Sequence, residues 1–490
     1  MSVLDRDLAS LQEMRNLVRK AKAAQKEYGK LSQEKIDQVT EAAAKRMEAQ
    51  SVRLAKMAVE ETGYGNVPDK TIKNLFASKV LYDSIKTMKT VGFIHEDQEK
   101  KIYEIGIPVG VIAGLVPSTN PTSTAIYKSL ISLKSGNAII LSPHPAAQNC
   151  ILAVVKGIRE VLQGEGVSED LVSCISIPTM EATDALMKHE DVNLILATGG
   201  SAMVKSAYSS GTPALGVGPG NVPVFVERTA DIKEAAKRII QGKAFDHGVI
   251  CASEQAVIIE GAIFEKTLEE LKKQGAYYLS AKEKDIMDRV IQLPHGALNT
   301  KIVGKSAVEI ASLAGISVPE GTKVLMAEET GVGRAYPFSR EKLSPILAIY
   351  VEPDWQRACE KCIEILAYGG EGHSLGIHSN DEKIIREFAL RKPASRILVN
   401  SSTTHGAIGA TTNLAPALTL GCGAVGGSAS SDNITPMHLI DIRRLAYGVR
   451  ELEDLAKEVS THSEDKDTLA MTDLENIVRK LLKEMVTKST

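Results

Sequence analysis

Aromatic residues are scarce: they make up 4% of the 490 residues, and Trp355 is the single tryptophan. Base-stacking platforms for single-stranded nucleic acid are therefore not expected. Net charge is nearly absent too, with 58 Lys+Arg against 61 Asp+Glu. No global field draws such a chain to nucleic acid or to an anionic membrane. No stretch approaches the roughly 20 apolar residues that cross a bilayer, and Met1-Ser-Val-Leu-Asp-Arg-Asp mixes charges where a secretory signal has an apolar run. The six cysteines (Cys150, Cys174, Cys251, Cys359, Cys362 and Cys422) are too scattered to staple a chain of this size. They read as reduced thiols of a cytoplasmic protein. The histidines do not cluster, nothing resembles H-E-x-x-H, and Cys359-x-x-Cys362 has no second Cys or His pair at ligand spacing, so no metal is expected.

With 43% hydrophobic and 24% charged residues, the chain has an ordinary globular composition. Its length implies about two to four domains. Leu4, Leu8, Leu11, Leu17, Val18 and Ala21 recur at helical spacing, and 33–60 and 69–86 are Ala- and Lys-rich, so the start reads as a helical cap. From Lys101 to Val116 the pattern alternates and then becomes continuously apolar, as a strand does on passing from a sheet surface into its interior. Strand-like runs at 137–141, 172–177, 193–197 and 222–226 then alternate with helix-like runs at 146–163, 181–189, 201–208 and 230–242. A second series has strands near 254–259, 323–327, 345–350 and 396–400. Such alternation predicts parallel sheets in βαβ units, and two α/β domains fit it better than one. The Gly-rich stretch 405–427 is too long for a turn and reads as a functional loop. Residues 451–490 are polar and helical in pattern.

Three local features carry chemistry. Ala197-Thr-Gly-Gly-Ser-Ala follows a strand and opens a helix, where backbone N–H groups and the helix dipole suit a phosphate, although the third glycine of G-x-G-x-x-G is missing. Gly216-Val-Gly-Pro-Gly-Asn permits close backbone approach or is a plain turn. Asp246-His-Gly-Val-Ile-Cys251 puts a cysteine between a turn and a strand, a setting for a catalytic thiolate as well as for a small buried hydrophobe.

Taken in order, Val116-Pro-Ser-Thr-Asn-Pro-Thr-Ser-Thr-Ala, Ile140-Leu-Ser-Pro-His-Pro, Leu196-Ala-Thr-Gly-Gly, Gly216-Val-Gly-Pro-Gly-Asn, Gly248-Val-Ile-Cys-Ala-Ser-Glu-Gln, Glu341-Lys-Leu-Ser-Pro and Leu418-Thr-Leu-Gly-Cys-Gly resemble the CoA-acylating aldehyde dehydrogenases. The likeness is strongest to the aldehyde dehydrogenase half of bifunctional aldehyde–alcohol dehydrogenases, from residue 1 to about 450. A chain of 490 residues leaves no room for the iron-dependent alcohol dehydrogenase half, which implies a monofunctional enzyme.

The resemblance implies an aldehyde dehydrogenase-like fold of two Rossmann-like α/β domains plus a small β oligomerisation element. Residues 1–97 and 110–221 would bind the dinucleotide, 222–430 would carry the nucleophile, 98–109 and 431–450 would oligomerise, and 451–490 would form a helical extension. By the same likeness Cys251 is the nucleophile, Asn120 an oxyanion donor and His373 an aid to the CoA thiol. Ser118, Thr119, Ser142, Pro143, His144, Thr198, Gly199, Gly200, Ser201, Gly218 and Glu341 fall at the cofactor, NAD or NADP, with CoA as co-substrate and a homodimer or homotetramer as the assembly. Hydrolytic relatives carry a glutamate base in a Glu-Leu-Gly-Gly-Lys segment, and the matching Gly216–Asn221 contains no acid. Water would go unactivated there, which suits transfer to CoA.

Two departures stand out. Ser201-Ala202 replaces a Pro-Gly of close relatives, and Asn400-Ser-Ser-Thr-Thr-His-Gly-Ala-Ile-Gly-Ala-Thr-Thr-Asn-Leu-Ala, expected to border the aldehyde through Thr404 and His405, is rich in hydroxyls. Such a lining predicts a polar or anionic aldehyde such as sulfoacetaldehyde. A hydrolytic aldehyde dehydrogenase and a non-catalytic assembly subunit are the alternatives.

Overall fold

In the computed structural model, residues 5–454, 472–481 and 483 are described. The chain divides into two compact units, the first running to Gly92 and from Gly106 to Asp441, the second comprising Phe93–Ile105 and the chain from Ile442 onward.

The second unit takes its strands from a three-stranded sheet of order β1-β2-β15, built from β1 (Gly92–Asp97), β2 (Ile102–Pro108) and β15 (Ile440–Ala446). β1 falls within 1–97, assigned by family likeness to the dinucleotide-binding part; its largely exposed Gly-Phe-Ile-His-Glu-Asp lacks an apolar face that would betray it as a strand. Phe93, Tyr103 and Tyr447 stack edge to face within this unit, with centroids 6.5 and 5.6 Å apart. Of the helical extension 451–490, residues 472–481 are helical and 455–471 lie outside the described residues.

The first unit holds two parallel sheets. One has the order β5-β4-β3-β6-β7, from β3 (Val111–Val116), β4 (Ala138–Pro143), β5 (Val172–Cys174), β6 (Leu194–Thr198) and β7 (Ala214–Val217). This order reverses direction between β3 and β6, the place where doubly wound sheets open a crevice beyond their carboxyl ends. The helix Pro121–Lys134 leaves that point and is buried along its whole length. From it Lys128 Nζ donates to Leu115 O at 2.6 Å and Leu196 O at 2.7 Å, stapling the two strands that diverge. The N-terminal helices Arg6–Tyr28 and Gln33–Ala49 bury Met14, Val18, Ala21, Ile36 and Val39 in the same core as β3, β4 and β6.

The second sheet has the order β10-β11-β12-β9-β8-β13-β14, from β8 (Val222–Val226), β9 (Glu254–Glu260), β10 (Ala276–Tyr278), β11 (Val324–Glu328), β12 (Ile346–Glu352), β13 (Gly372–His378) and β14 (Ala394–Val399). Its strands are parallel and its two faces feed separate cores: Phe225, Ala256 and Ile258 on one side, Val224, Val226, Val257 and Ile259 on the other. Burial on both faces explains the unbroken apolar runs. β13 has no such run because glycines interrupt it, yet all seven residues are buried. At Gly376 a Cβ would come within 2.8 Å of Thr403 and 3.1 Å of Val224, so only glycine lets these elements close up.

Candidate active site

A cleft of about 790 Å³ opens in the first unit. One wall is the carboxyl edge of the five-stranded sheet: Pro117, Ser118, Thr119 and Asn120 after β3, Ser142, Pro143 and His144 at β4, Thr198, Gly199 and Gly200 at β6, Gly218 and Pro219 after β7. Ile250 and Cys251, Glu341 and Leu343, and Ile408, Leu418 and Leu420 supply further lining. The topology thus gathers residues that are more than three hundred positions apart.

Cys251 is the partly exposed member of the six free cysteines; the other five are buried. It follows an unusual turn, in which Asp246 (φ 49°), His247 (φ 53°) and Gly248 (φ 76°) are all left-handed. Non-glycine residues rarely adopt that region, and two in succession persist because surrounding bonds impose them. Here Asp246, fully buried, accepts from Asn66 N–H at 2.9 Å, Lys70 Nζ at 2.9 Å and Lys73 Nζ at 2.6 Å. Burial pushes the Cys251 thiol up to about 12, with the charge of Glu341 adding to the rise and that of Arg396 opposing it. Glu341, half-buried in the cleft lining and accepting from Gly220 N–H at 3.1 Å, is itself raised to about 7 by desolvation. Protonation of Glu341 removes its contribution to that rise and leaves burial, the larger cause.

Asn120 precedes the helix Pro121–Lys134, and its Oδ1 accepts from Lys73 Nζ at 2.6 Å while its Nδ2 faces Thr119 Oγ1 at 3.3 Å. Around the glycine turn three observations suit an anionic ligand. The buried Thr198 hydroxyl has no partner among the described residues. Gly200 caps the helix Ser201–Tyr208 without a side-chain bond to its first N–H groups. A Cβ at Gly200 or Gly218 would meet open space. Together these leave donors free where a dinucleotide's phosphates would lie.

The Aldehyde dehydrogenase family profile matches residues 3–325. The chain belongs to that family. It is 46% identical over 444 residues to the bifunctional aldehyde-alcohol dehydrogenase of Escherichia coli (strain K12), covering 90% of this chain and 50% of that protein, so it spans about half the length of that relative. An acetylating aldehyde dehydrogenase from Geobacillus thermoglucosidasius superposes with a TM-score of 0.91 at 53% identity, covering 92% of this chain and 99% of that one. A propionaldehyde dehydrogenase of Rhodopseudomonas palustris, solved with bound CoA and an acylated cysteine, gives 0.80 at 30% identity, covering 89% and 97%.

Several residues picked out by family likeness lie off the cleft lining. Ser201 opens its helix and is exposed. His373 is fully buried, with Nδ1 3.0 Å from Ser374 Oγ and Nε2 without a partner among the described residues. Burial and the nearby Arg396 charge bring it down to about 3, so it stays neutral. Only Gly220 separates it from the nucleophile: a Cβ there would be 3.3 Å from the His373 ring and 1.9 Å from the Cys251 carbonyl oxygen. Thr404 spends its hydroxyl on Gly242 O at 2.9 Å and Glu254 Oε2 at 3.2 Å. His405 bonds Ser402 Oγ at 3.1 Å and packs edge-on against Phe245 at 4.7 Å. The hydroxyl-rich segment therefore reaches the cleft through Ile408 rather than through its polar side chains.

Sequence reasoning passed over Lys70, Lys73, Asp246 and Arg396. Arg396 is 3% exposed and has no carboxylate partner in its hydrogen-bond set; it donates to Ser374 Oγ, Asn433 Oδ1 and the carbonyls of His373, Gly421 and Ser431. Its charge, like that of the two lysines, looks in sequence like one more solvated cation. Lysines three apart in a helix bounded by apolar residues were the available signal.

Proposed function

We propose that this chain oxidises a small aldehyde to an acyl-CoA, with NAD accepting the hydride and Cys251 carrying the acyl group. The observation that carries the reading is that the partly exposed Cys251 and Asn120 line one cleft at the switch point of a doubly wound sheet. The Cys251 thiolate adds to the aldehyde carbon, and negative charge moves to the former carbonyl oxygen. Asn120 Nδ2–H and the Cys251 backbone N–H then stabilise it; one such donor is worth about 3–4 kcal/mol. Bound NAD supplies the hydride acceptor on whose account the adduct becomes a thioester. The CoA thiol gives its proton to solvent and attacks the thioester carbon as the thiolate, the bond to Cys251 Sγ breaks, and the released Cys251 thiolate is ready for another aldehyde.

Thr198, Gly199, Gly200 and Gly218 would hold the phosphates, and Glu341 the nicotinamide ribose. The lining contains neither Lys nor Arg, and burial opposes protonation of His144, which supports NAD over NADP because a 2′-phosphate would lack a counter-charge. No carboxylate stands in Gly216–Asn221 to activate water, and Glu341 is the sole carboxylate in the lining. His373, kept neutral behind Gly220, is read as an aid to the incoming thiol, although it does not line the cleft. The exposed Phe93, Leu445, Tyr447 and Val449 of the second unit support a homo-oligomer formed through that face. Among the described residues no helix is long and apolar enough to cross a membrane. Free cysteines throughout suit a cytoplasmic setting.

The test is reduced-dinucleotide formation from acetaldehyde, butanal, succinate semialdehyde and sulfoacetaldehyde, with and without CoA and with NAD or NADP. Turnover should require CoA and disappear in Cys251→Ala. Equal rates without CoA would make the enzyme hydrolytic, and unchanged biological function of the alanine variant would point to an assembly role.

A further inference from the structure

Lys70 and Lys73 lie one turn apart on the helix Val67–Leu75, each 3% exposed, and neither lines the cleft. The Lys73 ammonium has three protons and no lone pair. All three protons are in use, on Asn120 Oδ1 at 2.6 Å, Asp246 Oδ2 at 2.6 Å and Val249 O at 2.9 Å. Because this partner can only donate, it settles the Asn120 amide: Oδ1 must face Lys73, and Nδ2 is left for the other side. Val249 stands two residues before Cys251, so one ammonium ties the amide and the nucleophile's turn together.

Asp246 anchors the arrangement. It also accepts from Lys70, which donates in addition to Thr119 O at 3.0 Å. Gly65 makes room for it, since a Cβ at that position would fall 1.8 Å from Asp246 Oδ1. A cation hydrogen-bonded to an amide oxygen draws electron density from the nitrogen and makes its N–H groups stronger donors.

We propose that Lys73 is a positioning residue for this reaction, orienting and polarising the Asn120 amide as the oxyanion donor while Asp246 and Lys70 hold it in place. The inference rests on the reading of Asn120 given above. A lysine that merely joined three segments of backbone would act on the whole site; one that works through Asn120 acts only when that amide is present.

The experiment compares the wild type, K73M, K73Q, N120A and K73M/N120A in pre-steady-state NADH formation and in iodoacetamide alkylation of Cys251, a reaction that builds no oxyanion. The K73M rate of hydride transfer should fall about 30- to 100-fold, the range for a misaligned or weakened oxyanion donor. KM for the aldehyde should stay within about threefold and alkylation within about twofold, the scatter tolerated for a residue outside ground-state binding. In the N120A background the same change should cost less than about threefold, because the partner it acts on is gone. K73Q, which keeps a neutral donor, should recover part of the rate.

Equal losses in both backgrounds, an unimpaired K73M, or alkylation falling in step with turnover would overturn the proposal. So would failure of both K73M and K73Q to fold, which would make the lysine part of the scaffold. A wild type without CoA-dependent NADH formation would instead overturn the functional reading beneath it.

Discussion

Gly220→Ala is the most demanding perturbation of this site. The added Cβ would lie 1.9 Å from the Cys251 carbonyl oxygen and 2.9 Å from its carbon, whereas ordinary contact begins at 3.4 Å. Gly220 or the nucleophile's backbone must therefore move by about 1.5 Å. Gly220 is pinned by its N–H bond to Glu341 at 3.1 Å and flanked by the His373 ring, so the displacement falls largely on Cys251. A misplacement of about 1 Å at a reacting atom costs about 100-fold in rate, or about 2.7 kcal/mol. The Gly220 backbone is not in the left-handed region, so alanine brings no conformational strain of its own. The expectation is a loss of at least about 100-fold in kcat with thermal stability reduced by only a few degrees. Steady-state CoA-dependent NADH formation and a thermal melt on one preparation measure both. A kcat within about threefold of wild type, in a folded variant, would refute the assignment of this contact to the nucleophile.

Other outcomes follow from the same site. Glu341 titrates near 7 when folded and near 4.5 as a free carboxyl, so between these values the native state holds the extra proton. Stability should fall as pH rises through that window, and E341Q should flatten the Tm profile there. Thr404→Val should cost about 1–3 kcal/mol by stranding Glu254 and Gly242 O, visible in urea unfolding, while leaving KM for every aldehyde unchanged. Thr198→Val removes a buried hydroxyl with no partner among the described residues; stability should hold and KM for NAD should rise.

Much of the alternation was legible because parallel strands buried on both faces leave unbroken apolar runs, and β3, β4, β6, β8, β9 and β12 all carry one. β13 was not, because its Gly376 serves close packing against Thr403 and Val224 and its Gly372 against Cys422 and Gly426, contacts between segments distant in sequence. β1 and β10 are short and largely exposed or half-buried, so their patterns are too brief to separate from a loop. Family motifs located the cleft at Asn120, Thr198, Gly199, Gly200, Cys251 and Glu341, all of which line it. They placed Thr404 and His405 beside the aldehyde as well, and the fold turns those side chains to Glu254, Ser402 and Phe245 instead.

From residues alone came the two parallel sheets and the glycine turn at the carboxyl end of a strand, because periodicity and turn chemistry are local properties; family likeness then singled out one cysteine among six. Which thiol is exposed, which amide end faces the cleft and which lysines are buried depend on contacts between positions far apart. Asn66, Lys70 and Lys73 meet Asp246 across more than 170 positions of chain. Only the tertiary fold brings those charges out of water and sets them against one another, and there the left-handed turn before Cys251 is held.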